Sequence, residues 1–281
     1  MSAQARDMQL QRTVMALGQR MTAGGGAIAA AICLAFCATP VAGIVVRHDV
    51  DESRFLALAE RFGSIVADVS CGDGSCGLGA ESTLIDSKWL LTAAHVANDL
   101  KPGDPAKIGD RIYRIDRVVL NPDWHRESDV RVDIALVHLA EPVTGVTPAR
   151  LYTDTDEVGL IVTFVGRGGS GTGLTGPVEE DLRLRAATNR VESLAYDGYV
   201  LRFRFDAPGD ADVTELEGIS GTGDSGGPAF LERDGVLYVI GVSTAQSARP
   251  TNGQRGRYGV LEFYTRVSAY AAWIRSVLSA D

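Results

Sequence analysis

A histidine, an aspartate and a serine, each in a distinctive local setting, carry the chemistry this sequence offers. His95 ends the run Leu90-Leu91-Thr92-Ala93-Ala94-His95-Val96, an apolar strand closing in a small-residue turn. Asp133 opens an otherwise apolar strand, Asp133-Ile134-Ala135-Leu136-Val137. Ser225 lies in a glycine turn, Gly223-Asp224-Ser225-Gly226-Gly227-Pro228. Acyl transfer by a serine needs a base to take its proton, and imidazole titrates in the right range. An acid is needed in turn to fix the imidazole tautomer and stabilise its cation. Glycines beside the serine let backbone N–H groups approach a developing oxyanion. Taken singly, each segment has a bland alternative: a glycine-flanked serine is usually a turn, and an aspartate before a strand is usually a cap.

The elements that must position these residues read as strands. Short apolar or alternating runs recur at 64–70, 76–85, 111–120, 133–139, 158–165, 182–192, 199–205, 227–231 and 236–243. They are separated by turn-rich stretches at 98–110, 166–177, 206–224 and 245–259, and 32 glycines supply the turns. This pattern favours an all-β sandwich or barrel over alternating βαβ units. No repeat of 20–50 residues is visible, which argues against a solenoid or propeller. Val267, Tyr270, Ala271, Ile274, Val277 and Leu278 fall at helical spacing and predict one docked C-terminal helix. Arg54–Phe62 predicts another helix ahead of the strands.

Composition bounds the rest. Hydrophobic residues at 45% of the 281 exclude disorder as the dominant state, because a core can be built. A formal net charge of −9 repels phosphate backbones, so nucleic acid is not an expected partner. Residues 1–43 do not fit a folded domain. Arg6, Arg12 and Arg20 face a single acid, Asp7, and residues 23–46 carry no charge. A basic region followed by an apolar one predicts a secretory signal, with Val41-Ala42-Gly43 suited to cleavage after Gly43. The alternative is a membrane anchor over residues 23–46. Leu34-Ala35-Phe36-Cys37 has the outline of a lipoprotein box, but Phe36 stands where a small residue is required. Cys71 and Cys76 bracket a Gly-Asp-Gly-Ser turn, which leaves a disulfide closing a hairpin tip or two free thiols.

Together, TAAH at 92–95, DIAL at 133–136 and GDSGGP at 223–228 resemble the chymotrypsin/trypsin-like serine peptidase family. The likeness extends over most of 44–281 and includes Ile44-Val45, Asn121-Pro122-Asp123-Trp124, and Tyr264-Thr265-Arg266-Val267 before Trp273-Ile274. It implies two six-stranded antiparallel β-barrels with a C-terminal helix. It also implies a catalytic triad of His95, Asp133 and Ser225, with an oxyanion hole at the Gly223 and Ser225 N–H groups. On the same grounds a free Ile44 ammonium would fold inward and pair with Asp224, and Ile219, Ser243 and Glu262 would belong to the substrate pocket. Thr244 falls where the family often has tryptophan, and Ile219 where basic-specific members have aspartate. Val96 and Gly221 replace common family cysteines, so Cys71–Cys76 would be a local substitute.

The expected activity is that of a secreted serine endopeptidase acting on proteins or peptides through an acyl-enzyme, with no cofactor and no metal. Signal peptidase would be its partner during export, and its cut after Gly43 would itself create the activating Ile44 terminus. A catalytically silent binding module and an esterase-like acyl hydrolase are the competing functions. His48, His125 and His138 lie outside the matching segments and are expected at the surface, in a polar loop and packed at a strand edge.

Overall fold

The computed structural model describes residues 44–69, 80–125, 130–179 and 181–280. Strand β1 (Val45–Val46) comes first, followed by helix α1 (Glu52–Ala59). Asp51 caps α1 by accepting the Ser53 N–H at 2.9 Å. The helix buries Phe55 and Ala59. Its first turn is tied down by Arg185, whose buried guanidinium meets Glu52 and also Asp181 at 2.7 Å.

Six strands then build the first body: β2 (Val66–Asp68), β3 (Glu81–Asp86), β4 (Trp89–Thr92), β5 (Pro105–Ile108), β6 (Arg111–Leu120) and β7 (Ala135–Leu139). They close in the order β2-β3-β4-β7-β6-β5. Leu84, Leu90, Leu91 and Leu136 are fully buried inside, each stabilising by roughly 1.5–3 kcal/mol relative to exposure. A short helix, α2 (Ala94–Ala97), follows β4.

The second body contains β8 (Arg150–Leu151), β9 (Ile161–Gly166), β10 (Ser170–Thr172), β11 (Gly176–Glu179), β12 (Arg185–Arg190), β13 (Ser193–Ala195), β14 (Val200–Arg204), β15 (Gly218–Ile219), β16 (Pro228–Arg233), β17 (Val236–Ser247) and β18 (Leu261–Arg266). The main sheet runs β12-β9-β16-β17-β18-β14-β13, with β8 added on β17. A smaller sheet runs β11-β10-β1-β15. The all-β expectation holds, with one closed barrel and one half-barrel. In the half-barrel a side chain stands in for the missing ladder: Asn189 on β12 donates to the Arg204 carbonyl at the end of β14, 2.9 Å away.

Helix α3 (Val267–Leu278) ends the chain and buries Val267, Tyr270, Ala271 and Ile274, four residues of the predicted stripe. Val277 and Leu278 are half-buried against the same core. That core continues from the first barrel to Val165, Phe230, Val239 and Val242 of the second body, so one packed interior fixes the two against each other. Cys71, Cys76 and the residue 1–43 segment lie outside the described residues. Among the described residues, no helix is long and apolar enough to cross a membrane.

Candidate active site

Register brings His95 and Asp133 to one end of the first barrel. β4 and β7 pair antiparallel, with Thr92 opposite Ala135. The residues just after β4 and just before β7 therefore leave the sheet side by side. Asp133, only 4% exposed, accepts the His95 backbone N–H at 2.8 Å through Oδ1. Its Oδ2 lies 2.6 Å from His95 Nδ1. A carboxylate at Nδ1 selects the tautomer protonated there and leaves Nε2 as the available base. The Thr244 hydroxyl also donates to Oδ2. The Asp133 carbonyl accepts from Thr265 Oγ1 at 3.0 Å, and Tyr270 of α3 donates to the Arg131 carbonyl at 2.7 Å. Strands of the second body and the last helix thus clamp the aspartate loop of the first.

The Ser225 turn is set against this pair. Gly226 has φ +79°, and a Cβ there would lie 2.2 Å from Thr92 Oγ1 and 3.1 Å from Ala93 N. Only glycine allows the serine turn to press against the residues leading to His95. Three backbone bonds hold the turn: Gly226 N–H to the Ser243 carbonyl, Gly227 N–H to the Asp224 carbonyl, and Glu81 N–H to the Ser225 carbonyl, at 2.9, 2.9 and 2.8 Å. Gly223 adopts φ +102°. Ser225 is half-buried, and the His95 side chain is 39% exposed.

Asp224 points inward and is 1% exposed. Its carboxylate accepts the Gly221 and Gly168 N–H groups at 3.0 and 3.2 Å. Burial pushes its pKa up to about 7, against the pull of those N–H groups. Ile44 is 1% exposed, and the adjoining Val45 pairs with Ile219 on the strand that leads towards the Asp224 turn.

Beside Ser225 opens a cavity of about 300 Å³, lined among others by Ser220, Ser243, Thr244, Gln246 and Arg255. Of the three expected pocket residues, Ser243 lines it. Ile219 and Glu262 are fully buried behind its wall. Glu262 accepts the Ser220 N–H at 3.0 Å and its hydroxyl as well, and burial pushes its pKa up to about 7. The register shift between Ser243 and Ala245 turns the Thr244 hydroxyl towards Asp133. Sequence reasoning missed that contact, along with Gln246, Arg255, Glu81 and Arg167. A bulge leaves no period in the sequence by which to find it. His138 is buried on β7 with Nδ1 2.5 Å from Asp116 and its ring edge-on to Trp89, a packed histidine, while His48 is exposed. Among the described residues, no three His, Cys, Asp or Glu side chains converge as a metal site.

Residues 64–274 match the family model described as Trypsin. The chain belongs to the trypsin family. It is 30% identical to complement C1s subcomponent of Rattus norvegicus over 70% of this chain, though that stretch covers only 32% of the relative. Chymotrypsin-like elastase family member 1 of Homo sapiens is 27% identical over 71% of this chain and 81% of its own length. A snake venom serine protease of Crotalus durissus durissus is 25% identical over 83% and 86%. The chain thus spans about a third of the complement protein and most of the other two. Within the trypsin family frame, the closed barrel carries the histidine and aspartate, and the half-barrel carries the serine turn.

Proposed function

We propose that this protein is a serine endopeptidase, with Ser225 as nucleophile, His95 as general base and Asp133 as the acid that orients it. The observation that carries this is the Asp133 carboxylate, which engages both the backbone and ring nitrogens of His95 on a loop pressed against the Ser225 turn. His95 Nε2 takes the Ser225 proton as Oγ attacks the peptide carbonyl, then returns it to the leaving amine. The N–H groups of Gly223 and Ser225 receive the oxyanion. Water, deprotonated by the same imidazole, releases the acyl group from Ser225.

The pocket beside Ser225 would take the side chain preceding the cut bond. Glu262 lies beneath Ser220, so any basic preference acts through the Ser220 hydroxyl and not by direct contact. Export through residues 1–43, and pairing of a new Ile44 ammonium with Asp224, complete the proposal.

The test is labelling by a fluorophosphonate, with Ser225→Ala as control, followed by digestion of a peptide library. Label on the wild type alone, with peptide cleavage, is the expected result. An unlabelled folded protein would mark a binding module, and label without peptide cleavage an esterase. The library profile of Glu262→Gln reports on the pocket: cleavage after Lys or Arg should fall relative to other sites.

A further inference from the structure

Beneath the Ser225 turn lies a buried cluster of charges that the triad does not use. Glu81, at the start of β3, has a fully buried side chain, although it belongs to the first barrel. Its backbone is already committed to the site. The Glu81 N–H donates to the Ser225 carbonyl at 2.8 Å, and the Glu81 carbonyl accepts the Thr92 hydroxyl at 2.8 Å. Its carboxylate reaches into the second body, where it accepts the Arg167 N–H at 3.0 Å and lies 3.2 Å from Arg167 Nη1.

Arg167 follows β9, between two glycines that cradle the other buried acid. Gly168 donates its N–H to Asp224, and a Cβ on Gly166 would lie 1.9 Å from Asp224 Oδ1. The Arg167 N–H and charge also favour the ionised form of Asp224. One short segment therefore touches both carboxylates, through the Arg167 guanidinium on Glu81 and the Gly168 N–H on Asp224. Burial pushes the Glu81 pKa well above the usual carboxylate range against the pull of Arg167, and the nearby charges of Asp224 and Asp68 push it further. A buried carboxylate without a counter-charge is strongly disfavoured, and Arg167 is the cation paired with Glu81 against the Ser225 turn.

We propose that Arg167, held by Glu81, is a positioning residue of the Ser225 turn, so that the turn is ordered without a free ammonium at Ile44. Cleavage before Ile44 then adds to this order and does not create it. The inference rests on the serine peptidase reading above and extends it to how the site becomes active.

The experiment uses the full chain with a site-specific protease's recognition sequence replacing residues 39–43, assayed before and after cleavage at Ile44. Peptide kcat and KM are measured together with the fraction of Ser225 titrated by a fluorophosphonate. The uncut wild type should turn over within about tenfold of the cut form. Uncut Arg167→Gln should lose roughly a hundredfold or more in kcat at nearly unchanged KM, and cutting should restore most of it. Arg167→Lys, which keeps the charge, should retain uncut activity to within about tenfold, whereas Glu81→Gln, which frees the guanidinium, should follow Arg167→Gln in part. The inference is overturned if the uncut wild type is silent while the cut form is active. It is equally overturned if Arg167→Gln lowers both forms by the same factor, as a merely structural role would. A cut wild type that neither titrates nor cleaves peptide would instead overturn the serine peptidase reading, and this inference with it.

Discussion

The half of the chain that carries His95 and Asp133 closes six strands around a largely apolar interior with Asp68, Glu81 and Asp133 buried at its edge, whereas the half that carries Ser225 stays an open sheet and buries Glu157, Asp206, Glu217, Asp224 and Glu262 to hold its turns. In the closed barrel the backbone ladder satisfies itself, and leucines fill the centre. In the half-barrel, side chains complete what the ladder leaves open. Glu217 accepts the N–H groups of Thr214 and Asp206 at 2.8 and 3.2 Å. Glu157, fully buried, pairs through both oxygens with Arg266 at 2.7 Å and accepts Ser268. Glu262 holds Ser220, and Asp224 holds Gly221 and Gly168. The difference separates two tasks. A rigid frame aims the base, and a set of polar-tethered loops shapes the nucleophile turn and the pocket. The second arrangement, with more buried acids, is the more sensitive to protons and to single atoms.

The largest effects should come where the two halves meet. Ser225→Ala, His95→Ala and Asp133→Asn should each lower kcat by roughly 10⁴ or more, and combining them should add little, because they act as a unit. Steady-state kinetics on folded variants decides this, and near-normal turnover in any one removes that residue from the mechanism. Next in size is Gly166→Ala. The new methyl would occupy the place of the Asp224 carboxylate, so kcat should fall by about a hundredfold while circular dichroism stays native. Full activity would mean that the Asp224 tether does not shape the turn.

The buried acids predict a slope of stability with pH. Burial raises the Glu217 pKa from the usual 4.5 to about 7. A group with a raised folded pKa contributes its full stability below the unfolded value and loses it as pH climbs through the folded one. Thermal stability should therefore fall from pH 5 to pH 8, with Glu217 accounting for about 2 kcal/mol of the loss. Glu217→Gln should flatten that slope in melting curves. If it leaves the slope unchanged, buried charge is not what distinguishes the half-barrel. The smallest effect concerns the contact between the halves at Asp133. Thr244→Val removes the hydroxyl donated to Oδ2 and should cost roughly tenfold in kcat, with Thr244→Ser close to wild type. Equal loss in both variants would locate the effect in packing and not in the hydrogen bond.

The sequence by itself determined the parts whose chemistry is local. The TAAH, DIAL and GDSGGP segments each need only a few adjacent residue types to end a strand, start one or make a glycine turn, so His95, Asp133 and Ser225 were legible. The α3 stripe and α1 were legible too, because helical periodicity is carried by neighbours in the chain. Only the tertiary structure decided what depends on distant register. A bulge in β17 turned Thr244 to Asp133, and the pocket wall hid Glu262 behind Ser220. The open edges of the half-barrel left Asn189 to bridge to Arg204. Glu81 and Arg167, 86 positions apart, became one buried pair under the serine turn. Nothing in either local sequence marks that partnership, because the free energy of a buried charge is set by what the fold places beside it.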